Sequence, residues 1–332
     1  MRAFLLFFIA ATAFGADTTA LVPLNDLGTA PYNWGYYGGL YDDGTSVMPA
    51  DHFALGIAAS ARIQPLDTNG NPSPNGKIAF LVAGFDETQK IADAMQQMAA
   101  NDIRVNHDSL VIVNAGRPGI DGLQWVPPLS PPLYSSIRNI LMPQLGVTPK
   151  QVQVAWVQLV TNNPVRSLPP QDADAYRLKG TIAAAIREMK VQYPNLRIAY
   201  ISSRVYGGYA TTSWNPEPFA YESAYSVRWL IMRQEDEERT GMTWDTRVGA
   251  INDTIGDAPW FAWGPYLWAN GTTPRSDGLT WDREDFDLDG ETLSARGAQK
   301  GGALLLDFLL HEPTAQWFRN PNAPARPHAA RH

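Results

Sequence analysis

The amino-acid sequence predicts an α/β fold with three layers (α/β/α), in which helices cover both faces of a central parallel sheet. Short apolar segments typical of buried strands alternate with longer segments whose apolar residues recur at helical spacing. Strands and helices in alternation imply right-handed crossovers, which produce a parallel sheet between two helical layers. We expect one domain, residues 17–318 of the 332-residue chain.

Four segments have the composition of strands that are buried on both faces. They are short and rich in β-branched or other apolar residues, and each ends in residues typical of turns. The predicted strands are residues 78–83, 109–114, 152–159 and 196–202.

Five segments have apolar residues at helical spacing, and Pro194 lies just beyond the third of them. Three lie between predicted strands or lead into one, as crossover helices would, and two follow the last predicted strand. The predicted helices are residues 88–99, 133–145, 172–192, 223–239 and 294–310.

Polar and glycine-containing turns follow three of the predicted strands, at residues 84–86, 114–116 and 161–163. In a parallel sheet these turns meet at the carboxyl ends of the strands, where ligands bind in open α/β folds. The sequence therefore predicts a ligand site at this edge of the sheet.

The connections outside the core are long and rich in Pro, Gly and aromatic residues, and loops of this length usually serve a function. Aromatic rings stack on the apolar faces of sugars, while Asn and Asp bind hydroxyl groups, so a sugar-binding cleft is one interpretation. The other is that the rings pack the loops onto the core. The aromatic residues of the loops are Trp34, Tyr36, Tyr37, Trp125, Tyr206, Tyr209, Trp214, Trp260, Trp263, Tyr266 and Trp268.

Residues 289–294 read Asp-Gly-Glu-Thr-Leu-Ser and are followed by a glycine and a lysine within the last predicted helix. This segment resembles the final motif of SGNH (GDSL-type) hydrolases, usually Asp-Gly-x-His-Pro-Ser followed by Gly and Lys. Thr292 stands where that family has its general-base histidine. Residues 75–88 resemble the first strand and nucleophile turn, and Asp86 stands where Gly-x-Ser-x-Thr would have the serine.

Two weaker blocks lie between these motifs in the family's order, and the whole resemblance covers roughly residues 27–312. Residues 111–116 resemble the block whose glycine, here Gly116, offers a backbone N–H to an oxyanion. Residues 154–163 resemble the block whose asparagine offers a side-chain amide, and either Asn162 or Asn163 could hold that position.

The resemblance implies the flavodoxin-like arrangement of these hydrolases, with the catalytic serine and histidine both replaced. Carboxylates are already ionised at neutral pH, so they cannot be activated as nucleophiles by loss of a proton. We therefore expect a pseudoenzyme that retains Asp289 and binds a carbohydrate or acylated glycan in the former active-site cleft. The alternative is an active carbohydrate esterase or glycosidase in which Asp86, Glu87 and Asp289 have new catalytic roles.

The remaining histidines offer no evident replacement for the base, and only His52 could be delivered by a loop. His107 precedes a predicted strand, at the opposite end of the sheet, and His311 ends the last predicted helix. Ser202 and Arg204 follow the fourth predicted strand and are expected to have structural or ligand-positioning roles. The expected binding residues are Trp34, Tyr37, Ser202, Arg204, Tyr206, Trp263 and Tyr266.

Residues 1–16 have the pattern of a signal peptide, with Arg2, an apolar run too short to span a bilayer, and small residues at Ala13 and Gly15. We therefore expect a secreted or periplasmic protein without a membrane span. Residues 319–332 are rich in Pro and Ala and are expected to form a disordered tail.

The expected partner is a small molecule or glycan, and composition argues against other classes of partner. The formal charge is −7 without a basic cluster, which argues against nucleic acid, and the absence of cysteine excludes disulfides and thiolate metal sites. Residues 285–290 begin like a calcium loop, but the twelfth position is Arg296, which cannot supply the bidentate carboxylate. No metal or cofactor is expected.

Overall fold

The computed structural model describes residues 20–33 and 35–323. The predicted signal peptide at residues 1–16, Trp34 and the part of the predicted tail beyond residue 323 therefore lie outside the described residues.

Within the described residues, five parallel strands form the central sheet, and a two-stranded antiparallel pair lies apart from it. The strands are β1 (Pro31–Tyr32), β2 (Tyr36–Tyr37), β3 (Ile78–Gly84), β4 (Leu110–Asn114), β5 (Val152–Gln158), β6 (Ile198–Ile201) and β7 (Trp260–Trp263). The central sheet has the order β4-β3-β5-β6-β7. Helices flank this sheet, so the predicted α/β fold with a central parallel sheet is confirmed.

The four predicted strands correspond to β3, β4, β5 and β6, whereas β7 lies in a segment that we expected to be loop. β7 has only four residues, three of them aromatic, and prolines lie close on both sides, so its composition does not distinguish it from its surroundings. Pairing with β6, in which Ile198 lies opposite Trp260, makes it a strand. A pairing of this kind cannot be read from a local pattern.

Each predicted helix has a counterpart whose ends differ from the predicted ones by four residues or fewer, and the predicted segment 133–145 corresponds to a continuous helical run that contains one π-helical turn. The helices are α1 (Leu24–Leu27), α2 (Ala50–Ser60), α3 (Asp86–Ala99), α4 (Pro131–Ser136), α5 (Met142–Gln144), α6 (Asp174–Gln192), α7 (Phe219–Thr240) and α8 (Ala295–His311). The helix α2 was not predicted, because it is short and contains Gly56. That glycine lies against the ring of Trp260, where no side chain would fit.

The strand order follows the doubly wound pattern in which the chain starts at the second position of the sheet and reverses direction after β4. Ligands in such sheets bind at the carboxyl ends of the strands, where the order reverses. Here that place lies between β3 and β5, which pair along their length, with Val82 opposite Trp156 and Gly84 opposite Gln158.

Helices α3 and α8 pack closely against each other. A Cβ atom on Gly301 would lie 2.6 Å from Cγ1 of Ile91. A Cβ atom on Gly302 would lie 2.8 Å from both the Cβ of Ala94 and the backbone nitrogen of Met95. The two glycines therefore allow this approach, which fixes the N-termini of both helices relative to each other.

The helices of the described residues do not meet the requirements of a membrane span, and the start of the predicted tail forms contacts with the domain. Across residues 20–33 and 35–323, none of the helices combines the length and apolarity that crossing a bilayer requires. At the start of the predicted tail, Asn320 donates a hydrogen bond from its backbone N–H to Arg104 O (2.7 Å), and Arg319 forms a bridge with Val105.

The close packing of α3 and α8 predicts that Gly302→Leu lowers the free energy of unfolding by about 2 kcal/mol. Backbone atoms of α3 must move to admit the side chain, which outweighs the gain of about 1 kcal/mol in helix propensity. Ala303→Leu, at the exposed neighbouring position, is the matched control and should change stability little. Chemical denaturation measures both, and equal effects at the two positions would contradict the packing argument.

Candidate functional site

A cavity of about 360 Å³ opens at the carboxyl ends of β3 and β5, where the strand order reverses. Its walls come from five separate parts of the chain, which the fold brings together. The lining residues are Phe85, Asp86, Glu87, Pro118, Gly119, Ile120, Val160, Asn162, Arg204, Thr212, Trp214, Asn215, Asp289, Glu291 and Thr292.

The turn from β3 into α3 places Asp86 at the cavity. Gly84 ends the strand, and a Cβ at this position would overlap Oγ1 of Thr88, so only glycine allows the tight turn. Asp86 is the first residue of α3, where a carboxylate is favoured by the helix dipole. Its nearest cation is Lys90 Nζ at 3.7 Å, and the Asp86 side chain is 25% exposed.

Below Asp86, Glu87 and Arg204 form a buried ion pair. Arg204 donates from Nε and Nη2 to Oε2 of Glu87 at 3.0 and 2.9 Å, and the two side chains are 3% and 1% exposed. The backbone N–H of Val205 and the side-chain amide of Gln158 donate to Oε1 of Glu87. Burial raises the pKa of the Glu87 carboxyl, and the Arg204 guanidinium opposes that effect. Glu87 is thus a structural anchor.

The turn before α8 brings Asp289 and Thr292 to the same cavity. Asp289 accepts hydrogen bonds from the Thr292 hydroxyl (2.7 Å) and from the backbone N–H groups of Glu291 and Thr292 (both 2.9 Å). Burial alone would raise the pKa of the Asp289 carboxyl, but these hydrogen bonds hold it below its usual value. The Thr292 hydroxyl is a donor to Asp289.

The predicted oxyanion donors are separated by the fold. Asn162 lines the cavity, whereas Asn163 is exposed and its side chain accepts a hydrogen bond from the Ser213 hydroxyl at 2.8 Å. Gly116 does not line the cavity. Its N–H donates to Oδ1 of Asn114 at 3.2 Å, so this amide is already engaged.

Of the seven predicted binding residues, Arg204 alone is among the lining residues of this cavity, and Trp34 lies outside the described residues. Trp263 and Tyr266 instead line a second cavity of about 600 Å³. The Ser202 hydroxyl is buried between Trp156 Nε1 and the carbonyl of Pro265.

Two tyrosines that we expected at the cleft also lie elsewhere. Tyr206 is buried and packs edge-on against Tyr209 and Trp268. Tyr37 is 55% exposed on β2, and its carbonyl accepts a hydrogen bond from Arg228. Core packing therefore accounts for Tyr206, whereas the exposed Tyr37 ring neither packs in the core nor lines the cavity.

Several lining residues were not predicted as ligand contacts. Trp214 belongs to the aromatic loops noted in the sequence, and its side chain is 51% exposed at the cavity. Asn215 and Glu291 have no local signal, because their role depends on contact across the fold: the Asn215 N–H donates to Oε1 of Glu291 at 2.7 Å.

None of the described histidines lines the cavity. The expectation that a loop could deliver His52 is wrong, because His52 lies on α2 and is 2% exposed. Its Nδ1 lies 2.7 Å from Glu238 and its Nε2 lies 3.0 Å from the carbonyl of Phe261. Burial lowers the pKa of the His52 imidazole, although Glu235 opposes this.

The segment that begins like a calcium loop is held by cations of the protein itself. Asp285 is paired with Lys300 and Arg296, and Asp287 lies 3.4 Å from Lys90 Nζ. Over the described part of the chain, no group of three or more His, Asp or Glu residues is arranged to hold a metal ion.

Neither a family model nor a curated protein matches the sequence. Solved structures to which the chain is similar include a candidate acylhydrolase from Bacteroides fragilis, with 10% identity, a TM-score of 0.38, and coverage of 79% of this chain and 96% of that one. A protein from Arabidopsis thaliana has 12% identity, a TM-score of 0.33 and coverage of 67% of each chain. The periplasmic domain of a lipopolysaccharide acetyltransferase from Salmonella ser. Paratyphi A has 10% identity, a TM-score of 0.34, and coverage of 78% and 94%.

The buried ion pair predicts that Glu87→Gln lowers the free energy of unfolding by about 3–5 kcal/mol, because Arg204 is left charged and uncompensated in the interior. Asp172→Asn is the control, since it breaks an ion pair to Arg166 whose side chains are both about half exposed. We expect the control to cost less than about 1 kcal/mol. Urea unfolding measures both, and similar losses would contradict the anchoring role of Glu87.

Proposed function

We propose that this chain is an exported SGNH-hydrolase-like protein that binds a carbohydrate or acylated glycan and no longer hydrolyses esters. One observation carries the proposal. Asp86 and Thr292, which stand where the family has its nucleophile and its base, line one cavity together with Asp289 and Asn162. The cleft is thus present while the two groups that would perform the chemistry are replaced.

The contacts of these residues support the loss of ester hydrolysis. A serine esterase needs a nucleophile that an adjacent base deprotonates. The Thr292 hydroxyl donates a hydrogen bond to Asp289, and a threonine side chain has no basic nitrogen that could accept a proton. No described histidine lines the cavity. A carboxylate at position 86 would also repel the oxyanion that forms during acyl transfer.

The oxyanion donors support the same conclusion. The N–H of Gly116 is directed to Asn114, which leaves the side-chain amide of Asn162 as the one predicted donor at the cavity. Loss of a single oxyanion donor typically costs about 10²–10³ in turnover. The site therefore lacks nucleophile, base and one donor.

Reassigned carboxylate catalysis is less well supported than binding. Hydrolysis of a glycosidic bond needs one carboxylic acid that carries a proton, with a raised pKa. Hydrogen bonds lower the pKa of Asp289. Burial raises the pKa of Glu87, but both oxygens of this carboxyl already accept hydrogen bonds within the protein, so it has no atom available to protonate a substrate. Neither group is suited to act as a general acid.

A sugar ligand fits the composition of the cavity. The half-exposed ring of Trp214 offers a flat surface for the apolar face of a sugar, and Ile120 and Val160 add apolar walls. Asp86 and Asn162 provide polar groups for hydroxyls. Export rests on the pattern of residues 1–16, which lie outside the described residues.

For the ester chemistry, the prediction is that the purified protein has negligible activity on short-chain nitrophenyl esters, while Asp86→Ser combined with Thr292→His gains weak activity. Without nucleophile and base the expected loss is on the order of 10⁶-fold, and either single variant should stay inert because the two groups act as a unit. A spectrophotometric assay of the four proteins tests this.

Turnover by the unmodified protein that disappears in Asp86→Asn would overturn the proposal in favour of reassigned catalysis. Activity of Asp86→Ser alone would show that another residue already serves as the base. Both outcomes contradict a site without ester chemistry.

For glycan binding, an array of neutral, acetylated and amino oligosaccharides first identifies the glycan that binds most tightly. We predict that Trp214→Ala weakens the affinity for that glycan by roughly fivefold to tenfold. Loss of one stacked ring has about this effect. Trp244→Ala is the matched control, because Trp244 is 64% exposed and does not line the cavity. Titration calorimetry gives the affinities, and an array without any bound glycan would refute glycan binding.

A further inference from the structure

The hydrogen-bond donors around the cavity are largely used within the protein. The Arg204 guanidinium makes four hydrogen bonds, to Glu87 twice and to the carbonyls of Asn215 and Glu291. The hydroxyls of Thr212 and Thr292 donate to Glu291 and Asp289. Little side-chain donor capacity therefore remains for a ligand.

The side-chain amide of Asn215 is also used within the protein, because it donates to the carbonyl of Thr161 at 3.0 Å. Among the side-chain donors of the lining residues, the amide of Asn162 and the indole N–H of Trp214 are the exceptions, since neither donates to another described residue. A ligand rich in acceptors would find few partners here.

Some hydrogen-bond acceptors at the cavity, in contrast, have no donor within the described residues. Asp86 accepts no hydrogen bond from any described residue, and Lys90 approaches it only to 3.7 Å while donating to the carbonyl of Leu293 at 2.8 Å. Asn215 is 4% exposed, and its Oδ1 has no hydrogen-bond partner among the described residues. A buried acceptor without a donor costs roughly 1–3 kcal/mol, so the donors around the cavity do not suffice even for the acceptors of the protein itself.

The charges of the lining residues point in the same direction. The lining contains four carboxylates, Asp86, Glu87, Asp289 and Glu291, and one guanidinium, Arg204, so its formal charge is −3. In a recess with low-dielectric walls, such a charge attracts cations and repels anions. The exposed Trp214 ring adds a surface that binds cations through its π-electrons.

We propose that the cavity selects a glycan that carries a protonated amine, such as an oligosaccharide with free amino sugars, over neutral and acidic glycans. This inference rests on the proposed glycan-binding function and names the ligand class of the same site. The ammonium group would donate to the Asp86 carboxylate, and a sugar ring would lie against Trp214. An anionic glycan would find neither free cations nor sufficient donors.

The test compares three tetrasaccharides by titration calorimetry: β-1,4-linked glucosamine, the same backbone fully N-acetylated, and galacturonate. In buffer acidic enough to protonate the sugar amines, we expect the glucosamine tetramer to bind roughly tenfold more tightly than its N-acetylated form, because charge-assisted hydrogen bonds are about twice as strong as neutral ones. Asp86→Asn should abolish this preference. Asp51→Asn, which removes an exposed carboxylate on α2 outside the lining, should retain it.

The outcomes separate this inference from the function on which it rests. Equal affinity for the amine and N-acetylated tetramers, or tighter binding of galacturonate, overturns the amine selectivity and leaves glycan binding intact. If no tetrasaccharide binds, hexylamine serves as the second probe. Binding of hexylamine that is lost in Asp86→Asn then supports amine recognition and refutes the glycan function, whereas no binding refutes both.

Discussion

The buried ion pair between Glu87 and Arg204 connects parts of the chain that are far apart in sequence. Glu87 lies in the first turn of α3, and Arg204 follows β6, 117 residues later. Arg204 also donates to the carbonyls of Asn215 and Glu291, so one guanidinium holds α3, the loop before α7 and the turn before α8 in a common position. Three of the segments that line the cavity depend on this arrangement, because each of them contains one of the residues that Arg204 contacts.

A buried ion pair is a weak source of net stability, since desolvation of both charges offsets most of their attraction. Its consequence here is geometric and electrostatic. The charges of Glu87 and Arg204 are directed to each other, and two backbone carbonyls take further donors of Arg204. Asp86, the preceding residue, instead has its carboxylate at the cavity without a hydrogen-bond donor from the described residues. The acceptor-rich character of the site follows from this division between adjacent residues.

The sheet places this site by topology. Because β3 and β5 are neighbours and the chain reverses direction after β4, the turns that follow β3 and β5 meet at a crevice. The packing of Gly301 and Gly302 against α3 then brings the turn that carries Asp289 and Thr292 to the same crevice. Sheet order and helix packing together account for residues more than two hundred positions apart lining one cavity.

The sequence by itself determined the strands β3 to β6, the principal helices except α2, and the turns that bring Asp86 and Asn162 to one edge of the sheet, because local periodicity and turn chemistry report on these features. The place of Asp289 and Thr292 at the same edge was implied by the motif resemblance and not by a local pattern. It could not distinguish aromatic rings that pack from rings that face a ligand: Trp263 and Tyr266 line another cavity, whereas Trp214 lies at this one. Nor could it show that Gly116 donates to Asn114 or that Glu87 pairs with Arg204. Only the tertiary structure decided these points, since burial and hydrogen-bond partners arise from contacts between distant segments, which leave no local pattern in the chain.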